Sequence, residues 1–284
     1  MNDSGKHRIF LYLILIIFGL LYLAPIYVML MTSLKELEEI QQGNMLYPPE
    51  IPTFAAWGKA WNSACIGLSC DGLKGYFLNS LKMSIPAVLI SALLGAFNGY
   101  ILTKFRFRGH KIIFALLLFS CFIPFQAVLI PAATVLGKIG LSDSIAGLVL
   151  VHVAYGVGFT SLFFRNYYEA FPDELINAAK IDGAGFFRIF TRILLPASGP
   201  IIVISVIWQF TNIWNDFLFG ASFTSGENSP VTVALNNIVN SSTGVKEYNV
   251  DMAAAIYAAM PTLLIYILAG KYFVKGLLAG SVKG

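Results

Sequence analysis

Six long segments of the chain contain no Asp, Glu, Lys or Arg. A bilayer core requires about 20 apolar residues per helix, and each segment matches or exceeds that length. Polar backbone cannot face lipid unpaired, so membrane-spanning segments are helices or strands of closed barrels. Barrel strands are shorter and alternate apolar with polar positions, which these segments do not. The pattern predicts six membrane-spanning helices, at Ile9–Leu34, Met83–Thr103 (entered from about Tyr76), Ile112–Gly137, Ser144–Phe164, Ile193–Asn215 and Met252–Gly270.

The composition agrees with this pattern. Of the 284 residues, 57% are hydrophobic and 12% are charged, whereas an ordinary soluble domain has about 25% charged residues. We therefore predict an all-α integral membrane protein with six transmembrane helices. The net charge of +4 is small, and no dense basic run stands clear of a membrane segment, so we expect membrane lipid and no nucleic acid as a partner.

The charges in the loops predict the orientation. Lys6, His7 and Arg8 precede the first apolar segment, as in a secretory signal, but that segment exceeds the ~7–15 apolar residues of a signal peptide. We expect a retained helix. Lys and Arg concentrate in the loops that lie on the same side of the membrane as the N-terminus, above all in 104–111 and 165–192. Because cytoplasmic loops carry such an excess, both termini are expected in the cytoplasm, with the chain in a bacterial or archaeal cytoplasmic (inner) membrane.

The predicted organisation has four parts. Residues 1–34 form an N-terminal transmembrane helix, and 35–75 form a periplasmic loop. Residues 76–275 form a five-helix core with a cytoplasmic helical connection at about 172–192, and 276–284 form a cytoplasmic tail.

Motifs for catalysis and nucleotide binding are absent from the sequence. It contains no GxxxxGK[ST], HExxH or GxSxG pattern, and its three His residues are scattered. No Asp or Glu lies well inside a predicted span, which argues against proton or sodium coupling. We therefore expect no catalytic residues, no metal site and no enzymatic activity, with the energy for any transport coming from another protein.

The cytoplasmic loop that begins at Phe171 predicts a short helix over Asp173–Asp182. Pro172 suits a first turn, acidic residues complement the positive helix end, and Gly183 is a natural stop. Helical spacing places Leu175, Ala178, Ala179 and Asp182 on one face. This apolar, small-residue face needs something to cover it.

The same loop resembles the permease subunits of binding-protein-dependent ABC importers. The family pattern of Glu-Ala-Ala, Gly, Ile, Leu and Pro is matched by Asn177-Ala178-Ala179, Gly183, Ile193 and Leu195-Pro196 at the same spacings. Asn177 departs from the usual Glu, so a neutral hydrogen bond or the neighbouring Glu174 must replace the charged contact with the ATPase subunit.

Further segments resemble the carbohydrate-uptake branch of this family, of the maltose-permease smaller-subunit type. They are Ile123-Pro124 through Ile130-Pro131, the stretch Gly140–Ser144, and Trp214-Asn215-Asp216-Phe217-Leu218. The first outer loop, with Tyr47-Pro48-Pro49 and Trp57–Trp61, is similar to permeases assigned to glucose or mannose.

The resemblance implies the type I (MetI-like) ABC importer fold and an obligate complex. This complex has a second permease subunit, expected to be a different chain, and a periplasmic solute-binding protein. It also has two ABC ATPase subunits that bind ATP and Mg²⁺, while this chain binds no cofactor itself. The short cytoplasmic helix would dock the ATPase through Asp173, Glu174, Asn177, Ala178, Ala179, Ile181, Asp182, Gly183 and Ala184.

Polar residues in or near the spans allow two interpretations. Amides exchange hydrogen bonds with sugar hydroxyls, so these residues are candidates for the substrate pathway; they also commonly supply bonds between membrane helices. The residues concerned are Gln126, His152, Gln209, Asn212 and Asn215.

Two smaller features also carry predictions. Cys65 and Cys70 both lie in the first outer loop and can form a disulfide in an oxidising periplasm. Ser91, Gly95 and Gly99 form a small-residue stripe for close helix packing, either within this chain or between subunits.

Two alternatives to a sugar permease remain open. The same architecture could import a polyol or a peptide. From a different class, the chain could be an energy-independent carrier or channel, or a structural membrane subunit, and such a protein needs no ATPase-docking helix.

Overall fold

The computed structural model describes residues 3–43, 45–105, 107–240 and 245–281 of the chain. Arg106, the part of the last outer loop at 241–244 and the final residues of the predicted tail, 282–284, lie outside the described residues. No β-strand occurs within the described ranges, which confirms the all-α prediction. The α-helices are α1 Asp3–Ser33, α2 Leu37–Gln42, α3 Ala55–Asn62, α4 Lys74–Lys104, α5 His110–Ser120, α6 Phe125–Lys138, α7 Ile145–Glu169, α8 Asp173–Ile181, α9 Phe186–Ile189, α10 Leu195–Ala197, α11 Gly199–Trp214, α12 Leu218–Phe223, α13 Val231–Val239 and α14 Tyr248–Ser281.

The predicted spans correspond to four single helices and two bent pairs. Within the described residues, four helices are long and apolar enough to cross a membrane, at His7–Ser33, Lys74–Lys104, Ile145–Glu169 and Tyr248–Gly270. The other two spans consist of α5 with α6, and of α9–α10 with α11. Counting each bent pair as one span gives six.

The third predicted span is broken instead of continuous. Its two helices, α5 and α6, meet at 104°, with Pro124 in an extended conformation directly before α6. Proline disfavours a helical conformation in the residue before it, here Ile123. The Tyr155 hydroxyl donates to the carbonyl of Ile123, which therefore has a partner although the helix is interrupted.

The fifth predicted span is also bent. A π-helical turn at Phe190–Leu194 leads into α10, and the axis changes by 76° before α11. Pro200 at the start of α11 cannot donate a helical hydrogen bond. The Ser198 hydroxyl lies 2.6 Å from the carbonyl of Leu194 and 2.8 Å from the hydroxyl of Tyr168. The carbonyl of Leu194, at the bend, therefore has a hydrogen-bond partner within the protein.

The described residues form two compact units. One comprises those of 1–75 and 234–260, and the other those of 76–233 and 261–284. In the first unit, the Trp57 indole donates to the Ser33 hydroxyl at 3.1 Å, and the ring of Tyr257 lies 5.1 Å from that of Trp57 and 5.0 Å from that of Trp61. Trp57 and Trp61 of the first outer loop therefore pack within this unit, whereas Tyr47 is 68% exposed.

The same unit contains a tight loop closed by a disulfide between Cys65 and Cys70. Gly72 ends this loop with φ +66°, and a Cβ there would lie 2.3 Å from the carbonyl oxygen of Trp61. Both the backbone conformation and the available space therefore require glycine.

In the second unit, α4 packs closely on α7. A Cβ on Gly95 would lie 2.5 Å from the Cβ of Thr160, and one on Gly99 would lie 2.8 Å from that of Phe164. The Thr160 hydroxyl donates to the carbonyl of Ser91 at 2.9 Å. The small-residue stripe therefore serves a contact within this chain, which the sequence alone left open.

Candidate functional site

Helix α8 is attached to the protein by one buried face. Ile176 is 3% exposed and Ala179 is 9% exposed, and both belong to an apolar cluster with Tyr100, Tyr168 and Phe190. At the end of the helix Gly183 adopts φ +77°, as expected of a glycine that ends a helix. The predicted helix over Asp173–Asp182 is therefore present, with Asp182 as its first non-helical residue.

The opposite face of α8 is exposed and partly apolar. Leu175 is 53% exposed and Ile181 is 86% exposed, and Glu174, Asn177, Ala178, Asp182 and Gly183 are also exposed. Of the predicted docking residues, the structure places Ala179 in the protein's own core and leaves Ala184 half-buried. The single face proposed from spacing is thus divided, since Ala179 points inward while Leu175, Ala178 and Asp182 point outward.

Asp173 contacts its own chain. Its carboxylate Oδ1 lies 2.6 Å from Nζ of Lys104, at the end of α4, and the same ammonium donates to the carbonyl of Phe171 at 2.7 Å. The Lys104 side chain is only 7% exposed, whereas that of Asp173 is 67% exposed. This ion pair ties the start of α8 to the end of α4.

A cavity of about 480 Å³ lies in the second unit, and we name it the α7–α11 cavity. It is lined by the α5–α6 break at 121–126, by α7 and α11 residues, and by Asp216 and Phe219. The volume falls within the range of about 300–1,000 Å³ that is usual for small-ligand sites. Four of the five predicted polar residues line it, namely Gln126, His152, Gln209 and Asn212, whereas Asn215 does not.

Gln209 serves mainly to join helices. Its amide nitrogen lies 3.2 Å from the hydroxyl of Ser91 and 3.4 Å from the backbone carbonyl of His152, so it connects α11 to both α4 and α7. Gly156 makes room for it, because a Cβ there would lie 1.8 Å from that nitrogen. Asn212 donates to the carbonyl of Trp208 in its own helix.

Asp216 lines the cavity and was missed by sequence reasoning, which considered only acidic residues well inside a span. It lies just beyond α11, and its carboxylate accepts hydrogen bonds from the backbone N–H groups of Phe219 and Gly220, each at 3.1 Å. Burial raises the pKa of Asp216, and these backbone hydrogen bonds oppose the rise. The Trp-Asn-Asp-Phe string contained the residue, but nothing in the string showed that the side chain turns back toward α7.

The comparison with known families decides the class of protein. The model of a family described as binding-protein-dependent transport system inner membrane component matches residues 87–277, well over half of the chain. The chain belongs to this family. The matched region contains α8, both bent spans and every residue that lines the α7–α11 cavity.

Individual permease proteins are similar over nearly the whole chain. A probable ABC transporter permease protein of Pyrococcus horikoshii is 40% identical over 288 residues, covering 100% of both chains. A xylose/arabinose import permease protein of Haloferax volcanii is 33% identical over 298 residues, covering 98% of this chain and 94% of the relative. These similarities confirm the resemblance to the carbohydrate-uptake branch of ABC permeases.

A solved structure shares the fold. In the crystal structure of a bacterial ABC transporter involved in the import of the acidic polysaccharide alginate, one chain superposes with a TM-score of 0.83 at 22% identity. The match covers 96% of this chain and 99% of that one, which confirms the predicted ABC importer permease fold. As an inner membrane component of a binding-protein-dependent system, this permease is a multi-pass transport protein and not an enzyme, and it works with a solute-binding protein.

Proposed function

We propose that this permease forms half of the membrane pathway of an ATP-driven importer for a neutral sugar. The observation that carries the ATP-driven part is the exposed face of α8, with Leu175 53% and Ile181 86% exposed on a helix whose other face is firmly packed. Exposed apolar side chains on a helix outside the predicted spans favour a protein contact when they form part of one continuous surface. An ATPase groove is the partner that this family would supply.

The proposed complex contains a second, different permease subunit and two ATPase subunits that bind ATP and Mg²⁺. Both termini and α8 lie in the cytoplasm in this arrangement, as the distribution of Lys and Arg favours. ATP-driven movement of the ATPase subunits would then shift the permease between inward-facing and outward-facing states.

The sugar assignment rests on two supports. One is the relative from Haloferax volcanii that is named for xylose and arabinose import, and the other is the cavity with its few polar groups in an aromatic wall. Within this class we favour a hexose of the glucose or mannose type, from the resemblance of the first outer loop. A polyol or peptide substrate is the alternative within the same architecture.

The test is the ATPase rate of a reconstituted complex. The permease is co-expressed with a candidate second permease, ATPase and binding protein, and the rate is measured with and without each sugar in a panel that contains glucose, mannose, xylose and arabinose. Stimulation by one loaded binding protein would support the proposal and identify the sugar. A stable complex that only a polyol or peptide stimulates would overturn the sugar assignment. Failure of any ATPase to associate would overturn the ATP-driven mechanism in favour of an independent carrier.

A further inference from the structure

The α7–α11 cavity contains an acid–imidazole pair that no packing role explains fully. Asp216 and His152 both line it, and Oδ2 of Asp216 lies 3.8 Å from Nε2 of His152. We propose that the cavity is a saccharide subsite in this permease itself, in which Asp216 and His152 bind one sugar hydroxyl and Trp208 supports the apolar face of the sugar ring. This inference rests on the proposed function, since it takes the imported solute to be a sugar.

His152 is in an unusual polar environment. The side chain is 6% exposed, and its Nε2 atom has no hydrogen-bond partner within the described part of the chain. A buried polar atom without a partner destabilises a fold by about 1–3 kcal/mol, so its presence calls for an explanation. The separation of 3.8 Å from the Asp216 carboxylate is too long for a direct hydrogen bond, but one ligand oxygen beside the two groups can lie about 2.8 Å from both the imidazole and the carboxylate.

A hydroxyl group suits this position better than other ligand atoms. A hydroxyl both donates and accepts, so it can donate to the carboxylate of Asp216 and exchange a second hydrogen bond with the imidazole in either tautomer. Because Nε2 is itself buried, a small rotation of the imidazole or the carboxylate must accompany binding. A metal ion fits less well, since two protein ligands are fewer than the three or four that Zn²⁺ sites provide.

Asp216 is held rigidly enough to act as a binding group. The backbone N–H groups of Phe219 and Gly220 both donate to Oδ2, Oδ1 lies 3.4 Å from the N–H of Phe219, and the backbone N–H of Leu218 also donates to the carboxylate. A carboxylate oxygen has two acceptor positions. The carboxylate is therefore oriented by the start of α12. Its two oxygens offer about four acceptor positions to three backbone donors, so it keeps acceptor capacity for a ligand hydroxyl.

The wall of the cavity supplies a flat apolar surface. The half-buried ring of Trp208 is fixed by two phenylalanines, with ring centroids 4.6 Å away for Phe159 and 5.5 Å away for Phe163. Sugar rings have hydroxyls at their edges and C–H groups on their faces, so a site that combines an aromatic surface with a few polar groups matches them. Gln209 is excluded from the binding set, because its amide nitrogen already joins three helices.

The position of the cavity also suits a solute that arrives from a binding protein. His152 lies about 10 Å along α7 from its start at Ile145, and about 25 Å from its other end at Glu169. The end at Glu169 leads directly into α8. If α8 is cytoplasmic, as proposed, the cavity lies in the outer part of the membrane, where an imported solute enters.

The chain provides its own probe of this subsite. Of its three cysteines, Cys65 and Cys70 form the disulfide, and Cys121 is free and lines the cavity. The experiment measures the rate at which a small neutral thiol reagent modifies Cys121 in the reconstituted complex, by mass spectrometry of this chain, with increasing glucose, mannose or xylose. At a sugar concentration about ten times the dissociation constant, modification should slow by about tenfold.

Variants separate the subsite from general effects. Asp216→Asn and His152→Gln should lose the protection by sugar, and each is first compared with the native chain for assembly and for its modification rate without sugar. Asn215→Ala is the matched control, because Asn215 neighbours Asp216 but does not line the cavity, and it should keep the protection. His152→Gln decides the question if Asp216→Asn fails to assemble, since Asp216 also binds the start of α12.

Each outcome bears on a definite claim. Protection that persists in both variants would overturn the assignment of Asp216 and His152. An absence of protection in a complex whose ATPase activity responds to the sugar-loaded binding protein would overturn the subsite and leave the proposed function intact. An absence of any response of the ATPase to sugar would overturn the proposed function, and the subsite would fall with it.

Discussion

Removal of the Ile181 side chain tests whether the exposed face of α8 binds another protein. Ile181 is 86% exposed, so Ile181→Ala should leave folding unchanged. If a partner buries the residue completely, the three lost carbon atoms contribute about 0.8 kcal/mol each, or about 2 kcal/mol after scaling by the exposed fraction. That loss corresponds to an affinity for the ATPase subunit about 30-fold weaker. For Leu175→Ala, the smaller exposure of 53% predicts a loss of about 1.3 kcal/mol of binding free energy and an affinity for the ATPase subunit about eightfold weaker.

The assay is a titration of the ATPase subunit onto the assembled permease pair in detergent, without ATP. Leu68→Ala serves as the matched control, because Leu68 is a fully exposed apolar residue outside α8 and in the other unit of the chain. The Leu68→Ala permease should bind the ATPase subunit with the same dissociation constant as the native permease. If both α8 variants bind the ATPase within about twofold of the native affinity, a difference below about 0.5 kcal/mol, then the exposed face of α8 is not the ATPase contact and the reasoning fails.

Two further changes test how α8 is held. Gly183→Ala should lower the ratio of sugar transported to ATP hydrolysed, because the backbone conformation at φ +77° destabilises alanine by about 1–2 kcal/mol. Asparagine tolerates that conformation better, so Gly183→Asn should lower the ratio less. Equal losses in the two variants would contradict this account. Asp173→Asn and Lys104→Met should each lower thermal stability slightly, by about 1 kcal/mol, and reduce the same ratio. Because the two residues form one ion pair, the double variant should lose little more than the worse single variant, and fully additive losses would show that they act separately.

The spans and α8 could be predicted from the sequence because their causes are local. A run without charges determines whether a segment can cross a bilayer, whatever its neighbours are. Asp173 and Glu174 at the start of α8 and Gly183 after its end likewise act through their own backbone positions. The predicted and observed positions of this helix therefore differ only at Asp182, its last predicted residue.

The bends and the cavity could not be predicted because they depend on contacts between distant segments. Pro124 and Pro200 permit a break, but Pro86 lies within the continuous helix α4, so proline alone does not determine where a helix bends. The carbonyl of Ile123 is satisfied by Tyr155, over thirty residues away in the sequence. Asp216 enters the cavity only because α12 begins where its carboxylate can bind the backbone.

The contacts of α4 link the candidate docking surface to the cavity. At its end Lys104 binds Asp173 at the start of α8, and about 20 Å back along the helix Ser91 contacts Gln209 of the cavity wall. Between them, Gly95 and Gly99 leave no space for even a methyl group against α7. A contact this close cannot slide by small steps, so a displacement of α8 should move α4 and α7 together. Since α7 carries His152, and Gln209 joins α11 to both α4 and α7, such a movement should reach the cavity wall through these contacts.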